Sequence, residues 1–278
     1  MVIIQVRPVS SMTLAGPFMT ERYFLYIDLL GFKDLVRSGF NVSELYRRID
    51  RLNVHNDQDF TCIVFSDTIL VYGSEAWEQY PSKALVWLIE FAQDLFYRLI
   101  SLDVHIRAYV TKGNFEHHHL ENIEAYYGTA LIDCYEREKA IKCTGVFIDS
   151  RLAPFSHIFH LTKYDEHSHF VHVMQHLSDV SRPYDEYPVS GYILESSGME
   201  WWTAYLLRYL QNIHRHSGDS TLPGAVQLKY QNAWRMIATR HAGLCQRLIE
   251  ADFDFDKVIQ LDWSEKLRRI GTSEGAFE

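Results

Sequence analysis

Two aspartates stand where a folding chain has no packing reason to put them. Residues 23–32 read YFLYIDLLGF, an apolar strand that runs into Asp28 and then a Leu-Leu-Gly turn. Residues 61–73, TCIVFSDTILVYG, repeat the pattern, with Asp67 inside Ser66-Asp67-Thr68 between two apolar runs. Burying an unpaired carboxylate costs several kcal/mol or forces the group to neutralise. Either aspartate alone reads as an ordinary turn residue, since Asp is common there. Two at abutting strand ends repel unless a cation lies between them, and removing one is then expected to relieve strain in the metal-free protein. Carboxylate, water and phosphate oxygens are the ligand set of Mg²⁺ or Mn²⁺.

The elements around them decide whether the two meet. Tyr23 to Asp28 reads as a first strand. Phe32, Leu35 and Val36, then Leu45, Tyr46, Ile49 and Leu52, recur at helical spacing, with Gly39 as the break and Asn41 or Ser43 as a cap. Phe60 to Phe65 and Ile69 to Tyr72 read as a hairpin closed by Gly73. After Pro81, Leu85, Leu88, Phe91, Ala92, Leu95, Phe96 and Leu99 line one face of a long helix. Val104 to Thr111 is a fourth strand, with Val104, Ile106, Ala108 and Val110 inward, Arg107 and Tyr109 on the other face, and Lys112-Gly113-Asn114 as its end.

The order is β-α-β-β-α-β, a split βαβ unit of the ferredoxin-like kind, which places the fold in the α+β class. In that topology strands one and three are antiparallel neighbours at the centre of the sheet. Asp28 then lies beside the turn that holds Asp67. Further on, Gly128 opens an amphipathic helix over Ala130, Leu131, Cys134 and Tyr135, and Val146 to Ile148 form a short strand. Residues 151 to 195 read as irregular and His-rich. Two long helical patterns, Met199 to His214 and Val226 to Ile249, precede an acidic segment. The division is an arm over 1–20, a core over 21–152 and a helical extension over 153–278.

Composition narrows the class. The 278 residues are 47% hydrophobic and 23% charged, ordinary for a globular protein that buries a core. A net charge of -9 with no basic stripe argues against nucleic acid as a partner. Cys62, Cys134, Cys143 and Cys245 lie far apart with no CxxC pair, which suits a reducing cytoplasm. The N-terminus lacks a signal-peptide pattern, and no window reaches the ~18 apolar residues of a spanning helix.

YIDLLGF, FSDTILV, IRAYVTKG and YYGTALIDCYERE, in that order, resemble the catalytic domain of class III nucleotidyl cyclases, and more closely the pyrimidine cyclases of bacterial anti-phage signalling. The resemblance covers roughly residues 20 to 152 and implies a cyclase core with additional C-terminal helices. It implies that Asp28 and Asp67, helped by the Leu29 carbonyl, hold two divalent ions, Mn²⁺ or Mg²⁺. The backbone of Leu30, Gly31 and Phe32 would cradle a triphosphate. The implied reaction is attack of the ribose 3′-oxygen on the α-phosphorus, giving a cyclic monophosphate and pyrophosphate, in a cytoplasmic homodimer with sites across the interface and a downstream receptor for the product. An adenylate or guanylate cyclase, or a degenerate fold that binds without turnover, are the alternatives.

Other assignments depart from the family pattern. Its Asn-x-x-x-Arg pair, counted from Gly128, falls on Ile132 and Glu136; Asp133 and Arg137 stand one residue later, so Arg137 takes the transition-state role only in a shifted register. Arg107 matches a fourth-strand arginine that is structural or faces phosphate. Adenine-selective relatives carry a lysine and an aspartate at the positions of Ile63 and Ala125, which have no polar side-chain group to read a purine. Thr61, Tyr126 and Tyr127 offer hydroxyls and flat faces to a smaller ring. His117-His118-His119 reads as consecutive loop histidines that diverge in direction, and Trp201, Trp202, Tyr205 and Tyr209 as helix packing.

Overall fold

The computed structural model describes residues 20–52, 55 and 57–270; of the arm expected over 1–20, residues 1–19 lie outside the described residues. Its centre is a seven-stranded sheet of order β2-β3-β1-β4-β7-β9-β8. The strands are β1 (Glu21–Leu29), β2 (Phe60–Phe65), β3 (Thr68–Gly73), β4 (Ile106–Asn114), β7 (Gly145–Asp149), β8 (Leu161–Lys163) and β9 (Ser168–Val171). β1 lies antiparallel between β3 and β4, which pair both its edges, while the helices Pro81–Ile100 and Thr129–Ala140 pack on its faces, and Tyr23 to Ile27 are all buried. The first four strands pair as the βαββαβ reading requires.

On one face lie α1 (Phe32–Arg37), α2 (Val42–Asp50) and α3 (Pro81–Ile100). Gly31 takes φ 75 to turn the chain into α1, and Asn41 caps α2 by accepting the Glu44 amide. The predicted apolar stripe of α3 is buried throughout, from Leu85 to Leu99. Each such Leu or Phe contributes roughly 1.5–3 kcal/mol of burial. Phe60 of β2 stacks on Trp87 of α3 at 3.5 Å between centroids, which assigns Phe60, Cys62 and Val64 to this face.

The opposite face carries α4 (Thr129–Ala140). Gly128 opens it with φ 153, where a Cβ would lie 2.0 Å from the Asn114 carbonyl oxygen, so no other residue fits. Three expectations are corrected here. β4 does not stop at Thr111, because Lys112 and Asn114 stay paired with Tyr23 and Glu21. Residues 116–127 are not a loop but a hairpin, β5 (Glu116–His119) and β6 (Glu124–Tyr127). The sheet also runs past residue 152, because β9 pairs antiparallel with β7 and β8 pairs with β9. Their shortness hid them in the His-rich stretch.

After two short helices, α5 (Leu177–Val180) and α6 (Tyr192–Ser197), come α7 (Glu200–Gly218), α8 (Gly224–Ala238) and α9 (Ala242–Glu250). The single pattern expected over Val226 to Ile249 is thus two helices, broken at Thr239 to His241. Tyr205 and Tyr209 pack in the core, as read. Among the described residues no helix is long and apolar enough to cross a membrane.

Two buried histidines meet where these helices reach the β9 edge, their ring centroids 6.2 Å apart. His172 Nε2 is 2.8 Å from the Thr162 hydroxyl, and His241 Nδ1 is 2.6 Å from that of Ser181. Burial, reinforced by neighbouring His160 and Arg240, holds His172 down to about 3 and His241 down to about 4. In the unfolded chain both take up a proton near their ordinary 6.5, so the unfolded state gains protons that the fold refuses. Stability is therefore expected to fall as pH drops below about 6.5, by up to about 1.4 kcal/mol per pH unit for each histidine. Urea unfolding at about pH 7.5 and about pH 5 checks this; a midpoint that does not move between them contradicts it.

Candidate active site

Asp28 pairs with Thr68 in the β1–β3 ladder, one residue from Asp67, and the Leu29 amide donates to the Asp67 carbonyl at 2.9 Å. The two carboxylates share one end of the sheet and sense each other's charge. Ser66 adopts φ 56 to make the tight turn, which the Tyr46 hydroxyl braces from α2 by donating to the Ser66 carbonyl at 3.1 Å.

Asp28 is not bare, as the sequence implied. Arg107 pairs with it across β1 and β4, and Arg107 Nη2 lies 2.7 Å from Asp28 Oδ2. The same guanidinium bonds Glu138 of α4 and donates to the Ile141 carbonyl at 2.9 Å. Arg107 is 4% exposed, so the polar face expected for it and Tyr109 is in fact roofed by α4. Arg107 is therefore the residue that positions Asp28. Burial still raises the Asp28 carboxyl above its ordinary value; Arg107 opposes this, while Glu138 and Asp67 add to it.

A further cation comes from a quarter the sequence did not indicate. Lys229 of α8 stands within electrostatic reach of Arg107, Asp28 and Glu138; burial first, then Arg107, lowers its amine below the ordinary value. The node around Asp103 also ties the C-terminal helices to the site. Asp103 accepts from His105, from His216 and, at 2.5 Å, from Arg215 of α7. The His105 carbonyl in turn accepts the Leu30 amide at 2.9 Å. Leu30 N–H is thus engaged, which leaves the amides of Gly31 and Phe32 as the ones this turn can offer a phosphate.

The donor set suits a hard divalent ion. Among the described residues, Asp28 Oδ1 and the Asp67 carboxylate have no hydrogen-bond partner, and carboxylate oxygens are Mg²⁺ and Mn²⁺ ligands. Asp28 has the Glu138 and Asp67 carboxylates and the Arg107 guanidinium as charged neighbours, an excess of negative charge that a bound ion would offset.

The remaining candidates separate. Thr61 and Ile63 pair with Tyr72 and Leu70, which assigns them to the Asp28 face of β2, opposite Phe60. Tyr126 has its ring centroid 6.1 Å from that of His117, which itself bonds Tyr72, so Tyr126 lies on the Thr61 side of the hairpin. Tyr127 instead stacks on His118 on the hairpin's other face. Arg137 is held by Asp165 and, at 3.1 Å, by Ser168. That is the β9 flank of β4, away from Asp67, and Asp133 sits there too, 3.9 Å from Arg151. Within one chain the structure therefore does not bring Arg137 to the paired aspartates. A cavity of about 780 Å³, lined by residues that include Tyr46, Arg47, Cys62 and Val64, opens behind β2 rather than at the carboxylates.

No family model matches the sequence, and no curated protein matches it. Solved structures align with part of the chain. The adenylyl cyclase CyaB from P. aeruginosa aligns at TM-score 0.43 and 9% identity, over 54% of this chain and 92% of that one. A bacterial light-regulated adenylyl cyclase aligns at 0.42 and 8%, over 56% and 92%. The guanylate cyclase domain of RhGC from Catenaria anguillulae, in complex with GTP, aligns at 0.40 and 11%, over 55% and 96%. At such scores and identities these likenesses transfer neither family membership nor activity to this chain.

Proposed function

We propose that this chain is a metal-dependent nucleotidyl cyclase, acting as a homodimer on a pyrimidine nucleoside triphosphate, UTP before CTP. The observation that carries the reading is the β1–β3 register, which sets Asp28 beside Asp67 at the sheet end that leads into the Leu30-Gly31-Phe32 turn. The ribose 3′-oxygen attacks the α-phosphorus, its proton leaves to solvent, and the bond to the bridging oxygen breaks to release pyrophosphate. Asp28 and Asp67 would hold the Mg²⁺ or Mn²⁺, whose chemistry is to lower the pKa of the attacking hydroxyl and offset charge on the phosphates. Arg107 keeps the Asp28 carboxylate aimed, and the Gly31 and Phe32 amides bind phosphate oxygens. Arg137, turned toward the β9 flank, serves only if it faces a partner chain's nucleotide. The resemblance to anti-phage cyclases extends the reading to a second messenger with a separate receptor.

The base preference rests on what is missing. Ile63 lies on the Asp28 face and Ala125 on the hairpin, and neither can hydrogen-bond a purine edge through its side chain. A site that reads such groups loses up to ~10⁴–10⁵ in discrimination when its polar partners are absent. Thr61 shares that face of β2, and Tyr126 lies on the same side of the hairpin, so both offer hydroxyls there. A second reading, a nucleotide-binding protein without turnover, draws on the ion pairs that already engage Asp28 and Arg137. Incubation with each of the four nucleoside triphosphates and Mn²⁺, following pyrophosphate and cyclic product, decides among these. The expected result is a higher kcat/KM for UTP or CTP than for ATP or GTP. A purine preference overturns the base assignment, and binding without product supports the second reading.

A further inference from the structure

The β5–β6 hairpin holds a cluster that the catalytic reading leaves unused. His117 and His119 are two positions apart on β5, hence on one face, and Glu124 pairs with His119 across the hairpin. The loop expected here would have splayed these side chains; the strand gathers them. One donor atom from each of the three lies within 4.8 Å of the others.

We propose that His117, His119 and Glu124 form a binding site for a divalent cation of the Zn²⁺ class, separate from the paired aspartates. Tetrahedral coordination with metal–ligand bonds of about 2.0–2.1 Å sets neighbouring ligand atoms about 3.4 Å apart. Glu124 Oε1 is 3.1 Å from His119 Nδ1, and its Oε2 is 3.6 Å from His117 Nε2, so the carboxylate reaches both rings at close to that spacing. Two imidazole nitrogens and one carboxylate select zinc over magnesium, and three protein ligands leave a fourth position for water.

A second observation points to the same ligand. The His117 side chain is 7% exposed, yet among the described residues its buried Nε2 has no hydrogen-bond partner. At 3.6 Å, Glu124 is too far to be one. The other ring nitrogen, Nδ1, lies 2.8 Å from the Tyr72 hydroxyl. With a metal on Nε2, the proton sits on Nδ1 and is donated to the Tyr72 oxygen, the outer partner that fixes the tautomer of a ligating histidine. In the other three-residue group, Asp103, His105 and His216, the ring nitrogens that face the carboxylate already bond it, and Arg215 lies 2.5 Å from Asp103 as well. A bound ion would clip β5 to β6 just ahead of Gly128, beside the Tyr126 ring. It does so whether or not the chain turns over a nucleotide.

Calorimetric titration of the chelator-treated full chain with ZnCl₂, in buffer containing Mg²⁺, tests the site. The expected result is a tight site that Mg²⁺ does not displace. His119→Ala and Glu124→Gln, both at exposed side chains, are each expected to weaken it by more than about tenfold, and Tyr72→Phe by about 10- to 100-fold. Co²⁺ in place of Zn²⁺ is expected to give a tetrahedral visible spectrum that His119→Ala abolishes. No Zn²⁺ binding by the intact chain overturns the proposal. So does an affinity that stays the same in both His119→Ala and Glu124→Gln, the outcome if His119 and Glu124 form only a surface ion pair.

Discussion

Asp67→Ala is expected to lower cyclic-nucleotide formation by more than about 10³-fold, beyond the 10²–10³ that one lost hydrogen-bond donor costs. Its unfolding free energy is expected to stay within about 0.5 kcal/mol of the parent. The turn at this position is held by backbone groups. The Leu29 amide bonds the Asp67 carbonyl, and Tyr46 bonds the Ser66 carbonyl, so neither contact involves the deleted carboxylate. Asp28→Asn is expected to stop turnover as well, but at a cost in stability, because Arg107 loses a charged acceptor 2.7 Å away. The relief of repulsion is expected to be small, since Asp67 is the weakest of the influences on the Asp28 carboxyl and Arg107 already opposes it. Pyrophosphate release with Mn²⁺, measured beside urea unfolding, separates the two substitutions. Near-normal turnover in Asp67→Ala removes any metal-holding role for that residue.

The part of the site that local periodicity encodes was legible in the sequence. Asp28 and Asp67 interrupt apolar runs of strand character, and the order of helices and strands then leaves one arrangement in which they meet. Arg107 was legible as a structural or phosphate-facing arginine but its partners were not, because alternation along a strand says which face a side chain takes and not what covers that face. Its roof, α4, is fixed by Gly128 passing against Asn114, a contact between segments that no period reports. The same limit hid Lys229, which reaches Asp28 only because α8 folds back over the β4 side. It also hid Asp165, the partner that draws Arg137 to the β9 flank. The β5–β6 hairpin was hidden for another reason. Its strands carry His and Glu where a strand pattern wants apolar residues, and Lys112-Gly113-Asn114, which imitates a stop signal, forms the last three paired residues of β4.

Arg107→Ala is expected to destabilise the fold by about 3–5 kcal/mol, the usual cost of removing one partner from a buried ion pair. The guanidinium is 4% exposed and serves Asp28, Glu138 and the Ile141 carbonyl together, which joins β1, β4 and the end of α4. Without it, Asp28 and Glu138 face each other across a half-buried space with Lys229 as the only nearby cation among their named neighbours. The Asp28 carboxyl is already raised, and losing the group that opposes the rise lifts it further, so a proton competes more strongly with a divalent ion for the carboxylate. Arg107→Lys keeps a charge but not the planar fork that reaches three acceptors, so it is expected to fall between the parent and Arg107→Ala. Glu138→Gln preserves a hydrogen-bond acceptor for the guanidinium and is expected to cost less than either. Urea unfolding of the three variants ranks them, and Mn²⁺ affinity measured on the folded Arg107→Lys chain reads the effect on Asp28. Arg107→Ala losing less than about 1 kcal/mol, within the range of an exposed pair, overturns the bridging role.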